Sequence, residues 1–278
     1  MKIAITAEST IDLPIELLNK YDIKIIPFSV ILGDKEFKDG EITSTDIFKF
    51  VSDNKVLPKT SAINEEQYKE FFTEQIKGYD ALIHFALSSQ ISSACSHAIE
   101  AAKEIENVYV VDTKSLSTGI ALLAITAREL AESGKTASEI VEDVTEKTNK
   151  VQASFVVKKL DYLHKGGRCS SIALLGANLL HIRPEIILKD GKMISNKKYL
   201  GKMEKVIVTY CKDVLAQNSD ADKKYAFVTY TTATEGMITA AKEALTTAGF
   251  ETIYETTAGA TITSHCGEDT LGILFLNK

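Results

Sequence analysis

The segment that decides how this chain folds is Leu160–Pro184, LDYLHKGGRCSSIALLGANLLHIRP. Its Gly166-Gly167 pair frees the backbone for a positive φ or for close approach to a ligand, and Arg168 follows at the edge of that bend. The runs 172–175 and 179–180 are apolar. A basic residue beside a glycine bend and an apolar wall suits a ligand that has an anionic head and an apolar body. The alternative is a helix that ends at Gly166 and is followed by a core helix.

Composition and charge restrict the class of protein before any motif is considered. A chain of 278 residues with 45% hydrophobic and 25% charged residues is typical of a globular protein with one large domain or two domains. A formal net charge of −6 argues against a nucleic-acid partner. The four cysteines form no CxxC pair, which favours reduced thiols in a cytoplasmic protein over a disulfide framework or a zinc site. We find no signal peptide and no apolar run of about 18 residues that would span a membrane.

Hydrophobic patterning divides the chain near residue 150. In residues 1–150, short apolar strands alternate with helices, which predicts an α/β domain with a parallel sheet and helices on both faces. Residues 151–278 contain a hairpin with an Asp-Gly turn and several further strands, which predicts an α+β domain with a mixed or antiparallel sheet. No linker rich in Gly, Pro or Ser separates the two, so we expect the domains to pack tightly.

The ends of the predicted parallel strands indicate where a ligand would bind. Ligands of such sheets lie beyond the carboxyl ends of the strands. Ser9, Ser88-Ser89 and Asp112-Thr113 follow three predicted strands, so we expect them to face one crevice.

Local signals give further predictions near this crevice. Asp12 is predicted as the N-cap of the first helix, with Pro14 in its first turn. Residues 58–61 are predicted as a loop and residues 91–105 as a helix. No element is predicted between the strand that ends near Thr256 and the strand that begins at Leu271.

Motifs for nucleotide binding or nucleophilic catalysis are missing from the sequence. There is no GxGxxG after a strand, no P-loop and no GxSxG elbow. The five histidines show no metal-ligand spacing, so no metal site is expected. Ser9, Ser92 and His265 would form a serine-hydrolase site only if folding brought a serine, the histidine and a carboxylate together. Several hydroxyl-rich segments could hold an anion, but for most of them a simple helix cap is the favoured interpretation.

Six segments, taken in order, resemble the motifs of the DegV family of fatty-acid-binding proteins, which includes the FakB-type subunits. The most specific match is Leu160–Pro184, which resembles L-x-YLKKGGR followed by LG-x-LL-x-IKP. The resemblance runs nearly end to end. The other matching segments are AESTIDLP (7–14), KTS (59–61), SSQISSA (88–94), VDTKSLSTG (111–119) and GATITSHCGEDTLGIL (259–274).

The resemblance implies a two-domain DegV-like fold that encloses a long-chain fatty acid, such as palmitate, stearate or oleate, between the domains. By the same resemblance, Thr60, Ser92 and His265 hold the carboxylate, and Arg168 sets the electrostatics of that region. Secondary polar candidates are Ser61 and Ser9. The candidates for the tunnel wall, each of which could equally be plain core, are Phe28, Ile91, Ile120, Leu123, Leu174, Leu175, Leu179 and Leu180.

The role implied by the resemblance is that of a carrier and not of an enzyme. The carrier presents the acyl carboxylate to a separate fatty-acid kinase subunit with a dihydroxyacetone-kinase-like domain, which forms an acyl-phosphate. It needs no cofactor and no ATP site of its own, and it leaves room for transient contact with a membrane surface. The alternative, from a different class, is a serine-centred hydrolase or acyltransferase that uses Ser92 or Ser9 with His265.

Two departures from the family pattern bear on the binding site. Ser93-Ala94 stand where Gly-Thr is usual, which changes the loop around Ser92. Glu268 and Asp269 stand in the segment after His265 where the family has Gly-Pro-Gly. These acids either face solvent or, if they face the site, weaken the binding of an anion.

Overall fold

The structure is a computed structural model, and it describes residues 1–168 and 182–278. Four of the residues predicted to line the tunnel, Leu174, Leu175, Leu179 and Leu180, lie outside the described residues.

The first half of the chain has the predicted α/β architecture. Its strands are β1 (Ile3–Glu8), β2 (Ile23–Ile26), β3 (Ser29–Leu32), β4 (Lys35–Lys38), β5 (Lys59–Ser61), β6 (Ala81–Ala86) and β7 (Val108–Asp112). Its helices are α1 (Ile15–Lys20), α2 (Ser44–Asn54), α3 (Glu65–Gln75), α4 (Ala94–Ala102), α5 (Thr118–Glu132) and α6 (Ala137–Lys147). Four strands form a parallel sheet in the order β2-β1-β6-β7, and β4-β3-β5 form a small antiparallel sheet. Strands β1 and β6 are buried along their whole length and are mostly apolar, as expected for the middle of a parallel sheet, with Thr6, Glu8 and His84 as buried polar exceptions.

The second half forms the predicted mixed sheet. Its strands are β8 (Val151–Val156), β9 (Ile182–Lys189), β10 (Lys192–Leu200), β11 (Ala221–Tyr230), β12 (Thr252–Thr257) and β13 (Leu271–Asn277). Its helices among the described residues are α7 (Asp161–Lys165), α8 (Met203–Gln217), α9 (Glu235–Thr247) and α10 (Ala260–Cys266). The strand order is β10-β9-β8-β13-β11-β12, and every pairing is antiparallel except the parallel pair β11-β12.

This sheet separates two hydrophobic clusters. Successive residues of a strand point to opposite faces, so Phe155 enters the cluster shared with the first half, while Val156 enters the cluster beneath α8 and α9. Leu274 and Ile273 divide in the same way. The two halves therefore share one continuous core and pack tightly, as the lack of a linker predicted.

Three local predictions were wrong, the first two because a tertiary partner decided the conformation. Asp12 is not a helix cap: it has φ 54° and bonds Gly259, far along the chain, while Pro14 stands at the N-cap of α1. Residues 59–61 form β5 because they pair with β3. Helix α4 begins at Ala94, so Ile91 and Ser92 lie in the preceding loop.

Helix α10 was not predicted at all. Its seven residues include two threonines, which have low helix propensity, and its support comes from the first half of the chain. Ala260 packs with Val30, Ile47 and Phe48 in a small cluster of its own. The helix thus belongs to the second half by sequence but packs on α2 and β3.

Among the described residues, no helix is both long and apolar enough to cross a bilayer.

Candidate functional site

A cavity of about 590 Å³ lies where the two halves meet. This volume falls in the range of roughly 300–1,000 Å³ that is usual for sites of small-molecule ligands. The first half contributes β5 and the loop that precedes α4, and the second half contributes α10, Arg168 and Met193 of β10. Polar residues that line it include Thr60, Ser61, Ser92, Arg168 and His265. Apolar residues that line it include Phe28, Leu87, Ile91, Leu116, Met193 and Ile262.

The polar part of the wall is centred on a hydrogen bond between the two halves. Thr60 Oγ1 on β5 and His265 Nε2 on α10 lie 2.8 Å apart. Strand β5 holds the threonine because Thr60 pairs with Val30 of β3. The helix holds the histidine in its last turn. Two side chains 205 positions apart in sequence thus meet at the cavity wall.

The imidazole of His265 is neutral near pH 7. Burial, together with the smaller effect of the positive charge of Arg168, lowers its pKa to about 4. Its Nδ1 is buried and has no hydrogen-bond partner among the described residues. A histidine in this state acts as a hydrogen-bonding group and not as a cation.

Each glycine of the pair that precedes Arg168 is required for a different reason. A Cβ built on Gly166 would lie 2.7 Å from His265 Nδ1, so a side chain there would displace the imidazole ring. Gly167 has φ +68°, the left-handed conformation that favours glycine. The sequence predicted a positive φ or a close approach to a ligand at this pair. The positive φ occurs at Gly167, and the close approach occurs at Gly166, but to His265 and not to a ligand. Arg168 Nη1 donates to Gly166 O at 2.7 Å, and the exposed arginine stands at the rim of the cavity.

Ser92 lies in the loop before α4 and also lines the cavity. Its Oγ accepts a hydrogen bond from Ala94 N at 3.2 Å, which orients the side chain. Because the oxygen is the acceptor, the hydroxyl proton stays available to a ligand. The loop itself is anchored by Glu8, whose Oε2 accepts from Leu87 N at 2.6 Å.

Three of the candidates for the polar end or the tunnel wall, Ser9, Ile120 and Leu123, do not line the cavity. Ser9 Oγ donates to Asp39 Oδ2 at 3.0 Å and accepts from Phe28 N at 3.1 Å, so its hydroxyl is used inside the first half. Ile120 and Leu123 are fully buried on α5 in the main core. Phe28 and Ile91 do line the cavity. The expectation that the strand ends face one crevice holds for Ser89, which lines the cavity, and was wrong for Ser88, Asp112 and Thr113, which do not.

The acidic residues after His265 do not line the cavity. Asp269 Oδ2 pairs with Lys158 Nζ at 2.7 Å, and its Oδ1 accepts from Thr232 Oγ1 at 3.3 Å. Glu268 is half exposed, with its carboxylate 4.0 Å from the same lysine. Glu268 therefore faces solvent, as one of the two expectations stated, whereas Asp269 is held in an ion pair, and neither acid faces the cavity.

The geometry gives no support to a serine-centred catalytic site. Within residues 1–168 and 182–278, no hydrogen bond joins Ser92 or Ser9 to His265, and no carboxylate orients His265 Nδ1. A catalytic triad requires both contacts. In the same described residues, no group of three His, Cys, Asp or Glu side chains is placed to hold a metal ion.

The sequence did not identify two kinds of residue at this site. The first kind lines the cavity: Met193 and Ile262 carry only an apolar signal, and nothing in the sequence distinguishes a cavity wall from a core. The second kind supports the wall from behind: Asp12 and Asp39 bond the first turn of α10. The position of Asp12 before Pro14 instead indicated a cap of the first helix, so no sequence signal pointed to this role.

The family model described as "Uncharacterised protein, DegV family" matches residues 2–278. This chain belongs to the DegV family. A relative from Thermotoga maritima that is named a fatty acid-binding protein is 31% identical to this chain. The alignment covers 98% of this chain and 96% of the relative's length. The structure of a DegV protein from Thermus thermophilus, described by its fatty acid binding, superposes with a TM-score of 0.92 at 26% identity, with both chains fully covered. A stearic acid-binding protein from Eubacterium ventriosum superposes with a TM-score of 0.87 at 25% identity, over 99% of this chain and 98% of its own.

The DegV motifs and the cavity coincide in this chain. Thr60, Ser92, Arg168 and His265, which the motifs singled out, come from four separate segments and all line one cavity. The fold confirms the predicted pairing of a parallel-sheet half with a mixed-sheet half.

Proposed function

We propose that the protein is a cytoplasmic carrier that binds one long-chain fatty acid in the cavity between its halves. It presents the carboxylate to a separate fatty-acid kinase subunit, which forms the acyl-phosphate. The observation that carries the proposal is the Thr60–His265 hydrogen bond in the wall of a cavity of about 590 Å³. Relatives that bind fatty acids, among them a stearic acid-binding protein, support the ligand class.

The hydrogen bonds at the wall suit a carboxylate. When His265 Nε2–H donates to Thr60 Oγ1, the threonine hydroxyl proton is free to donate to a carboxylate oxygen, and Ser92 offers a second hydroxyl. A buried carboxylate without such donors would carry a large desolvation cost. Arg168 adds a positive charge at the rim, which favours the ionised form of the ligand.

The apolar part of the cavity suits the acyl tail. Burial of a tail contributes roughly 0.8 kcal/mol per CH₂, whereas a hydrogen bond to a charged group contributes about 1.5–3 kcal/mol. The tail of a C16 acid therefore supplies most of the affinity, and the polar residues decide which end is presented. Since Arg168 is exposed while Thr60 and His265 lie further in, the carboxylate end would face the open side, where a kinase could reach it.

The first test is whether lipid accompanies the protein. Native mass spectrometry of protein purified from a bacterial host should show a fatty acid adduct, and the delipidated protein should rebind palmitate. Purified protein that carries no lipid and binds neither palmitate nor oleate would contradict the proposal.

The second test separates the head group from the tail. Thr60→Val should lower palmitate affinity by up to about tenfold and should lower kinase-coupled acyl-phosphate formation further. It should leave the affinity for 1-hexadecanol, which has no carboxylate, unchanged. Thr126→Val is the matched control, because the Thr126 hydroxyl is half buried on α5 and bonds Leu122 O at 2.8 Å. Equal effects of Thr60→Val on both ligands would place the carboxylate elsewhere.

A further inference from the structure

The first turn of α10 is held by two buried carboxylates from the other half of the chain. Asp12 Oδ1 accepts from Gly259 N at 2.8 Å, and Asp39 Oδ1 accepts from Ala260 N at 2.7 Å. Their second oxygens are also bonded: Ser117 Oγ donates to Asp12 at 2.5 Å, and Ser9 Oγ donates to Asp39 at 3.0 Å. Both carboxylates are therefore fixed by hydrogen bonds, and both accept from backbone N–H groups at the N-terminus of α10.

The two carboxylates lie close together without a cation. A Cβ built on Gly259 would be 3.1 Å from Asp12 Oδ1 and 3.0 Å from Asp39 Oδ1, so both carboxyl oxygens lie beside the same residue and close to each other. Among the described residues, neither aspartate forms an ion pair. Buried like charges at such short range are costly unless one is protonated. Accordingly, the pKa of Asp12 is raised to about 8, first by burial and in addition by the charge of Asp39.

The same helix carries the central histidine of the cavity at its other end. Helix α10 has seven residues, from Ala260 to Cys266, and His265 is in its last turn. The imidazole lies beside Gly166, where an added Cβ would be 2.7 Å from its Nδ1, and its Nε2 is 2.8 Å from Thr60 Oγ1. Because α10 has only seven residues and is held at its first turn, a displacement of Gly259–Ala260 would also shift His265.

We propose that Asp12 and Asp39 are positioning residues for the head-group site, which hold α10 from the first half of the chain and thereby set the contact between His265 and Thr60. The inference rests on the proposed function, because it assigns the pair a role in carboxylate recognition. It also predicts pH dependence, since ionisation of Asp12 adds a second negative charge at the helix end. The other titratable groups that face Asp12 are Asp39 and Cys266, and burial raises the pKa of the Cys266 thiol to about 12, outside that pH range.

The test compares palmitate with 1-hexadecanol on delipidated protein. Asp12→Ala and Asp39→Ala should each lower palmitate affinity roughly tenfold, as expected for a weakened hydrogen bond to a charged group, and should change hexadecanol affinity less than twofold. Asp12→Asn keeps an acceptor for Gly259 N–H but cannot ionise. Its palmitate affinity should fall less than that of Asp12→Ala and should not change between pH 7 and 9, whereas the affinity of the wild type should fall over that range.

The control is Glu185→Gln, which removes another buried carboxylate whose pKa burial raises, on β9 and bonded to Asn196. This variant should keep the wild-type ratio of the two affinities. Equal losses for palmitate and hexadecanol in the Asp12 and Asp39 variants would overturn the inference, because they would show a general structural effect. Retention of wild-type affinity and pH dependence would overturn it as well.

A measurement without ligand distinguishes this inference from the proposed function. The ¹⁵N resonances of His265 in the free protein report its hydrogen bond to Thr60. They should shift in Asp12→Ala and Asp39→Ala but not in Glu185→Gln. If the shift occurs and the wild type binds no fatty acid, the positioning role stands and the carrier function fails. If the resonances do not move, the positioning role fails whatever the protein binds.

Discussion

At the residue scale, two adjacent glycines are needed for different physical reasons. Gly166 has an ordinary φ but no space for a Cβ, because His265 Nδ1 would lie 2.7 Å away. Gly167 has open space around it but a φ of +68°. One glycine therefore protects the position of the imidazole, and the other permits the turn that leads to Arg168.

Substitution of the two glycines should separate these reasons. Gly166→Ala and Gly167→Ala should each lower the free energy of unfolding by about 1–3 kcal/mol, the first through overpacking and the second through left-handed strain. Only Gly166→Ala should also weaken the binding of palmitate relative to hexadecanol, because it displaces His265. Urea unfolding and binding assays on both variants measure this. If both variants changed the ratio of palmitate to hexadecanol affinity equally, the conformation of the turn, and not the space beside His265, would determine carboxylate binding.

The protonation state of His265 gives a second prediction at this scale. NMR titration should place its pKa near 4, below the usual 6.5, because burial disfavours the cation. The contribution of His265 to stability is therefore present above pH 6.5 and is lost as the pH falls from 6.5 to 4. Arg168→Gln should raise this pKa, since it removes the nearby positive charge, but should leave it below 6.5 because burial is the larger cause. A pKa at or above 6.5 in the wild type would contradict the neutral hydrogen-bonding role.

At the element scale, the hairpin of β9 and β10 closes on the loop that precedes α4. The buried Ser88 Oγ donates to Gly191 O, at the hairpin tip, at 2.8 Å. A Cβ on Gly191 would lie 2.5 Å from the same oxygen, so only glycine fits. Met193 on the hairpin and Ser92 in the loop both line the cavity. The Ser88–Gly191 contact therefore joins the two halves beside the cavity.

Removal of the Ser88 hydroxyl should loosen this contact. Ser88→Ala leaves Gly191 O without its donor and should lower the free energy of unfolding by about 1–3 kcal/mol. Hydrogen exchange at residues 189–193 should become faster, and so should palmitate dissociation. Ser133→Ala is the control, because the Ser133 hydroxyl also donates to a backbone oxygen, that of Leu130 at 2.7 Å, and does not line the cavity. Unchanged exchange at the hairpin tip in Ser88→Ala would show that other contacts hold the two halves together.

At the scale of the whole molecule, the pKa of Asp12 makes stability depend on pH. Its folded pKa of about 8 lies above its ordinary value of 3.8. Between these two values the folded state keeps a proton that the unfolded chain loses. The contribution of Asp12 to the free energy of unfolding is therefore fully present below pH 3.8 and is lost as the pH rises through 8. The slope for one proton is at most about 1.4 kcal/mol per pH unit.

Asp12→Asn should remove this slope. Between pH 6.5 and 8, the wild type should lose up to about 2 kcal/mol of unfolding free energy that the variant does not lose. Urea unfolding at both pH values measures the difference between the two proteins, and Asp53→Asn, at an exposed pair with Lys49, serves as the control. Parallel pH profiles for wild type and Asp12→Asn would show that Asp12 is ionised throughout this range.

The sequence by itself determined the architecture, because strand and helix periodicity depend on which residues are buried, and burial follows from residue type. The motifs also identified Thr60, Ser92, Arg168 and His265, which come together at one cavity. Tertiary structure alone decided the conformation of Asp12, the pairing of β5, the existence of α10, and whether an apolar residue such as Ile91 or Ile120 lines the cavity or the core. The physical reason is that these features depend on partners as far away as 247 positions in the chain, and local patterning contains no signal for such contacts.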